Sequence, residues 1–242
     1  MRIVGIVQAR MGSTRLPGKV LRDLGGRSVL GWVIRAACEA GVLDDLVVAT
    51  TTLAADDAVV EECRRLGVAW HRGPVDDVLT RFVQALAGRK AEAVMRFTAD
   101  CPLLDPAVIR EAALVFRAVP GLGYLSTSLA RTLPRGLDVE IVREDALERA
   151  DREATGYHRT HVTSYVYAEP GDTRLLGLAY QPAADDLRVT LDTEDDWWLI
   201  SRVVAELGDR CVPVERLVSW LRARPEVSGL NAHVRQKSLQ DA

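Results

Sequence analysis

This chain of 242 residues predicts an α/β fold, a mostly parallel central sheet flanked by helices with a smaller β-rich extension. Three observations carry that expectation. Through the first half, short apolar runs alternate with amphipathic stretches, the pattern of right-handed β-α-β units covered on both faces. The opening run IVGIV passes directly into a loop rich in glycine and cations, "QARMGSTRLPGKVL". Beyond about Gly121 the rhythm changes to strand-like runs without a long helix between each.

The elements follow in order. Residues 3–8 read as a buried strand and 29–40 as an amphipathic helix. "LVVAT" is a second strand, and 56–66 a helix with Gly67 placed at C′, where a left-handed conformation is wanted. "VAWH" is a short third strand, 76–87 the next helix and "AVMRFT" the strand after it. Asp105 and Pro106 have the residue types of an N-cap and a first helical position. "YLST", "LDVEIV", "SYVYA" and "LLGLAY" then read as short strands, a β-rich subregion at about 121–187. "LRVTLD" predicts a strand ending at Asp192, with Thr193 as N-cap and Glu194, Asp195 and Asp196 on the first helical turn, where the helix dipole favours acids. A last helix is expected at 214–223. With no repeat and no low-complexity linker, a single domain over 1–242 is expected.

Composition narrows the function. The chain is 48% hydrophobic and 27% charged with a net charge of −3, a globular profile without the basic excess of a nucleic-acid binder. No apolar run approaches the roughly 20 residues that span a bilayer, so no membrane partner is expected. The first apolar run is broken by Gln8 and Arg10 and is not a signal peptide. Cys38, Cys63, Cys101 and Cys211 are far apart and form no C-x-x-C pair, which suits reduced thiols and a cytoplasmic location.

The opening loop carries Arg10, Arg15 and Lys19 among Gly12, Ser13, Thr14, Pro17 and Gly18. It is not a P-loop: Gly12 and Gly18 are one residue too far apart, Pro17 interrupts, and Val20 follows the lysine where Ser or Thr is needed. No G-x-G-x-x-G occurs either. The physics still suits a polyphosphate. Gly12 and Gly18 can turn backbone N–H groups toward an anion, the arginines offer forked donors and the lysine a compact charge. A solvated basic loop paired with surface carboxylates has the same composition.

The stretch "QARMGSTRLPGKVL" resembles the signature loop of the sugar-activating cytidylyltransferases, the family of the CMP-KDO and CMP-sialic acid synthetases. The likeness continues through "RGPVDDVLTRF", "RFTADCPLLDP", "GLDVEI", "RVTLDTEDDW" and "LNAHVRQKSL", and together these are similar to the spore-coat polysaccharide SpsF type. The resemblance implies a Rossmann-like (GT-A-like) nucleotidyltransferase fold and transfer of CMP from CTP to a sugar, sugar acid or similar anionic acceptor, with release of pyrophosphate. It implies a homodimer, and Arg10, Ser13, Arg15 and Lys19 as triphosphate ligands, with Ala9, Gly12, Thr98 and Asp100 lining the nucleotide site.

Such a reaction places charge on a leaving pyrophosphate, which Mg²⁺ commonly neutralises, held by one or two carboxylates and the substrate phosphates. Asp100 in "FTADCP" and Asp192 in "VTLDTEDD" each follow an apolar strand, and the resemblance implies that they are the metal ligands. Read alone, the first also suits a turn and the second a helix cap. Lys19, Arg10, Asp100 and Asp192 form the expected catalytic set. On the acceptor side stand His158, Arg159 and His161, whose His-x-x-His spacing would share one helical face but lacks further zinc ligands nearby. Arg159 there suits an acceptor carboxylate or phosphate; a solvated polar helix end is the other reading. Arg135, Asp138 and Glu140 in "PRGLDVEI" complete the acceptor candidates, the two acids expected on one strand face. CMP-KDO synthetases have Q-G-D where this chain has Thr98-Ala99-Asp100, so acceptor identity does not transfer. A glycosyltransferase using a nucleotide sugar is the alternative enzyme, weakened by the absence of any D-x-D, and a non-catalytic nucleotide-binding protein is the third reading.

Overall fold

The computed structural model describes residues 1–236, 238 and 239. Strand β1 (Ile3–Gln8) leads through the opening loop to α1 (Val29–Glu39), followed by β2 (Asp45–Thr51), α2 (Asp57–Leu66), β3 (Ala69–Gly73), α3 (Val78–Leu86), β4 (Ala93–Thr98) and α4 (Pro106–Ala118). The second half adds β5 (Leu122–Ser126), β6 (Glu140–Arg143), α5 (Glu144–Glu153), α6 (Tyr157–Thr160), α7 (Ser164–Ala168), β7 (Arg174–Gly177), α8 (Glu194–Leu207), α9 (Val214–Arg222) and α10 (Pro225–Ser228). All the strands join one sheet in the order β3-β2-β1-β4-β6-β5-β7. Its pairings are parallel except on either side of β6, which runs against β4 and β5.

The apolar runs explain why the sheet is covered on both faces. In β1, Ile3 and Val7 face one core with Met95, Phe97 and Trp32, while Val4 and Ile6 face the other with Val47, Leu79 and Phe82. The predicted caps form as read. Gly67 ends α2 at φ 66°, Asp105 caps α4 through its side chain, and Thr193 with Asp196 makes a capping box on α8; Asp77 caps α3 as well, a cap the sequence analysis does not name.

Two expectations are corrected. "SYVYA" is the helix α7, which buries Ser164 and Val166 and sets the Tyr167 ring 5.8 Å from that of buried Tyr124. "LRVTLD" forms no ladder: Arg188 makes one isolated bridge with Arg135, and the segment crosses the end of the sheet instead of joining it. In residues 121–187 the strands β5, β6 and β7 extend the main sheet as a mixed edge, with α5, α6 and α7 between β6 and β7. Among the described residues, no helix is long and apolar enough to cross a membrane.

Candidate active site

Three chain segments meet at the carboxyl end of the parallel strands, where ligands bind in sheets of this kind. The first is the opening loop, which continues β1: Ala9 N donates to Ala49 O (3.1 Å) and Met11 N to Asp56 Oδ1 (2.6 Å). Buried Leu16 and Val20 anchor the loop in the core. Gly18 between them takes φ 69°, a left-handed turn that aims the next residue, Lys19, back under the loop. Gly12 is not in that region, so its conformation does not demand glycine.

The second segment follows β4, where Ala99 N donates to Gln8 O (3.0 Å) and sets Asp100 beside the loop. The third is the crossing strap ahead of α8. Val189 N donates to Arg135 O (2.7 Å) and Leu191 N to Asp100 O (2.8 Å), which delivers Asp192 to Asp100. Close approach here requires Gly136 at φ +106°, because a Cβ there would meet Thr190 N at 2.5 Å.

Lys19 joins all three. Its Nζ donates to Asp100 Oδ2 (2.7 Å), Asp192 Oδ1 (2.9 Å) and Leu191 O (2.7 Å). Asp192 also pairs through Oδ2 with Arg15 (2.9 Å) and Arg188 (2.7 Å). Burial opposes charge on Lys19, but Asp100 and then Asp192 outweigh it and raise the ammonium above its ordinary range. Burial likewise opposes charge on Asp192, and Lys19, Arg15 and Arg188 outweigh it and hold the carboxyl below its ordinary range. Arg188 is held in turn by Asp196 (2.9 Å) and Gln236 (3.0 Å), and Asn231 donates to Asp196 (2.7 Å). This is where "LNAHVRQKSL" acts; Lys237 within it lies outside the described residues.

The three segments enclose a cavity of ≈ 340 Å³ lined by Ala9, Arg10, Gly12, Ser13, Arg15, Lys19, Thr98, Asp100 and Asp192 among others. Every residue expected at the nucleotide is therefore on its wall. Asp100 and Asp192 offer two convergent hard oxygen donors, a set that suits a divalent cation sharing its sphere with phosphates. A cation there would compete with Lys19 for the same two carboxylates. Among the described residues, no group of three or more His, Cys, Asp or Glu could hold a metal ion by itself.

The acceptor candidates disperse. His161 lines the cavity and its Nε2 donates to Leu239 O (3.0 Å), whereas His158 Nδ1 lies 2.9 Å from Ser164 Oγ. Arg159 is engaged away from the cavity with Asp77 (2.7 Å) and Asp151 (2.8 Å). Arg135 lines a separate cleft beside Arg188 and Asn231. Asp138 precedes β6 and pairs with Arg131 (2.6 Å), and Glu140 pairs with Arg96 (3.0 Å) and accepts from Thr163.

The charged wall residue that the sequence analysis does not name is Arg81. Arg81 lies on α3 among the buried Val78, Leu79, Phe82 and Ala85, is only 2% exposed, and borders the cavity. A cation inside the apolar stripe of an amphipathic helix was the available signal.

Comparison with known proteins agrees with this geometry. Residues 4–196 match the cytidylyltransferase family. An uncharacterized protein of Methanocaldococcus jannaschii is 34% identical, covering 100% of this chain and 99% of its own length. The spore coat polysaccharide biosynthesis protein SpsF of Bacillus subtilis is 30% identical, covering 93% of this chain and 96% of its own. A solved cytidylyltransferase structure from Leptospira borgpetersenii superposes with a TM-score of 0.90 at 26% identity, over 98% of this chain and 99% of that one. The sheet is thus a Rossmann-like nucleotidyltransferase fold.

Proposed function

Because this chain belongs to the cytidylyltransferase family and is a nucleotidyltransferase, we propose that it transfers CMP from CTP to a sugar or sugar-like acid with release of pyrophosphate. The observation that carries this reading is the Lys19 ammonium of the opening loop, held by Asp100 and Asp192 in a cavity that Arg10 and Arg15 also line. An acceptor oxygen attacks the α-phosphorus in line and the bond to the pyrophosphate breaks. Arg10, Arg15 and Lys19 neutralise the β- and γ-phosphates, and the preorganised charges spare the transition state a solvent reorganisation. Asp100 and Asp192 would hold Mg²⁺, which when bound supplies further neutralisation of the leaving group. The product belongs to surface polysaccharide or related glycoconjugate synthesis, as the SpsF likeness suggests.

Calorimetric titration of CTP, UTP, dTTP, ATP and GTP with Mg²⁺ tests the reading. CTP is expected to bind preferentially, Lys19→Ala to weaken it about tenfold or more, and Asp100→Asn to abolish pyrophosphate release while leaving the fold intact. Binding of a nucleotide sugar in place of any triphosphate would refute it.

A further inference from the structure

Arg81 is a buried cation with no ion pair among the described residues. Its Nη1 donates to Pro74 O (3.1 Å), and among the described residues its buried Nε has no acceptor. Among the described residues, neither it nor Arg10 has a carboxylate at ion-pair distance. The charges that act on it most are Arg10, Asp56 and Asp77. Both acids are committed elsewhere: Asp56 accepts from Met11 N and Thr51 Oγ1, and Asp77 is held by Arg159 and Thr80. Gly73 lets the side chain lie across the end of β3, since a Cβ there would stand 3.0 Å from Arg81 Cγ.

The cations of the cavity therefore fall into two sets. Lys19 and Arg15 are matched by Asp100 and Asp192. Buried Arg81 and exposed Arg10 are like charges on the same wall without an ion pair among the described residues, and a buried cation beside a like charge is costly unless a bound anion supplies the missing charge. A single carboxylate answers one guanidinium; a pyrophosphate unit, with several oxygens and more than one charge, answers two.

Building on the triphosphate site proposed above, we propose that Arg81 is a phosphate ligand of this enzyme which, with Arg10, binds the pyrophosphate unit of the incoming nucleotide. The test compares the parent protein with Arg81→Met and Arg81→Lys by calorimetry against inorganic pyrophosphate, CTP and CMP, and by thermal melting without ligand. Arg81→Met is expected to weaken pyrophosphate and CTP about tenfold or more and CMP less than about twofold. Its unliganded melting temperature should be equal to or above the parent's, because an uncompensated buried charge has gone. Arg81→Lys keeps the charge without the fork and should lie between the two. Unchanged pyrophosphate affinity, or equal weakening of CMP, overturns the assignment, and so does a lower melting temperature with unchanged pyrophosphate binding. Should Arg81→Met fail to fold, the same comparison in Arg81→Lys decides alone. A parent protein that binds pyrophosphate through Arg81 but not CTP would remove the proposed function and keep the subsite.

Discussion

Arg81, Arg159 and Lys19 show that a basic side chain's role depends on what faces it. Lys19 is matched by Asp100 and Asp192, Arg159 by Asp77 and Asp151, and Arg81 by no ion pair among the described residues. In the sequence all three are cations, marked by the opening loop's density for Lys19, by the apolar stripe of its helix for Arg81 and by its histidine neighbours for Arg159, and none of these marks says what faces the charge. Asp192 offers a test at this scale. Its folded carboxyl is held below the ordinary value of 3.8, so the stability it contributes is present above that value and lost as pH falls through the folded one. Asp192→Asn is therefore expected to be less stable at pH 7 by roughly 1–3 kcal/mol. It should also lose less further stability than the parent between pH 4 and strongly acid solution. Urea unfolding across that range measures both slopes; parallel curves would remove Asp192 from the acid response.

At the scale of elements, caps were legible because they are local. Thr193 and Asp196 lie three residues apart, and the reciprocal bonds they make need nothing from the rest of the molecule. Asp196 then does more than a cap requires, since it also holds Arg188 and Asn231 and is fully buried. Thr193→Ala is expected to cost about 1 kcal/mol and lower the melting temperature by about 2–4 °C. Asp196→Ala should cost roughly 3–5 kcal/mol, because it leaves a buried guanidinium short of its partner. Thermal melting of the two variants should reproduce that order. The "SYVYA" segment was illegible for the opposite reason: its alternating pattern suits a strand, and only packing against Tyr124 selects the helix.

Across the whole molecule, the sheet order sets who meets whom. Reversal of β6 between β4 and β5 carries the chain outward to α5 and α6, where Arg159 ties α6 to Asp77 at the head of α3 and to Asp151 on α5. A bracing role predicts that Arg159→Met loses about 2 kcal/mol or more of stability, with CTP affinity and acceptor KM unchanged once folded. A raised acceptor KM in steady-state kinetics would return Arg159 to the acceptor site. From the residues alone came the α/β class, the caps, the opening loop and both aspartates, all properties of local spacing and of quoted motifs. Tertiary structure decided that the strap before α8 brings Asp192 to Asp100 through Leu191, and that Arg159 leaves the cavity while Arg81 enters its wall. Those outcomes depend on contacts between residues scores of positions apart, and no local periodicity encodes which charges will find each other there.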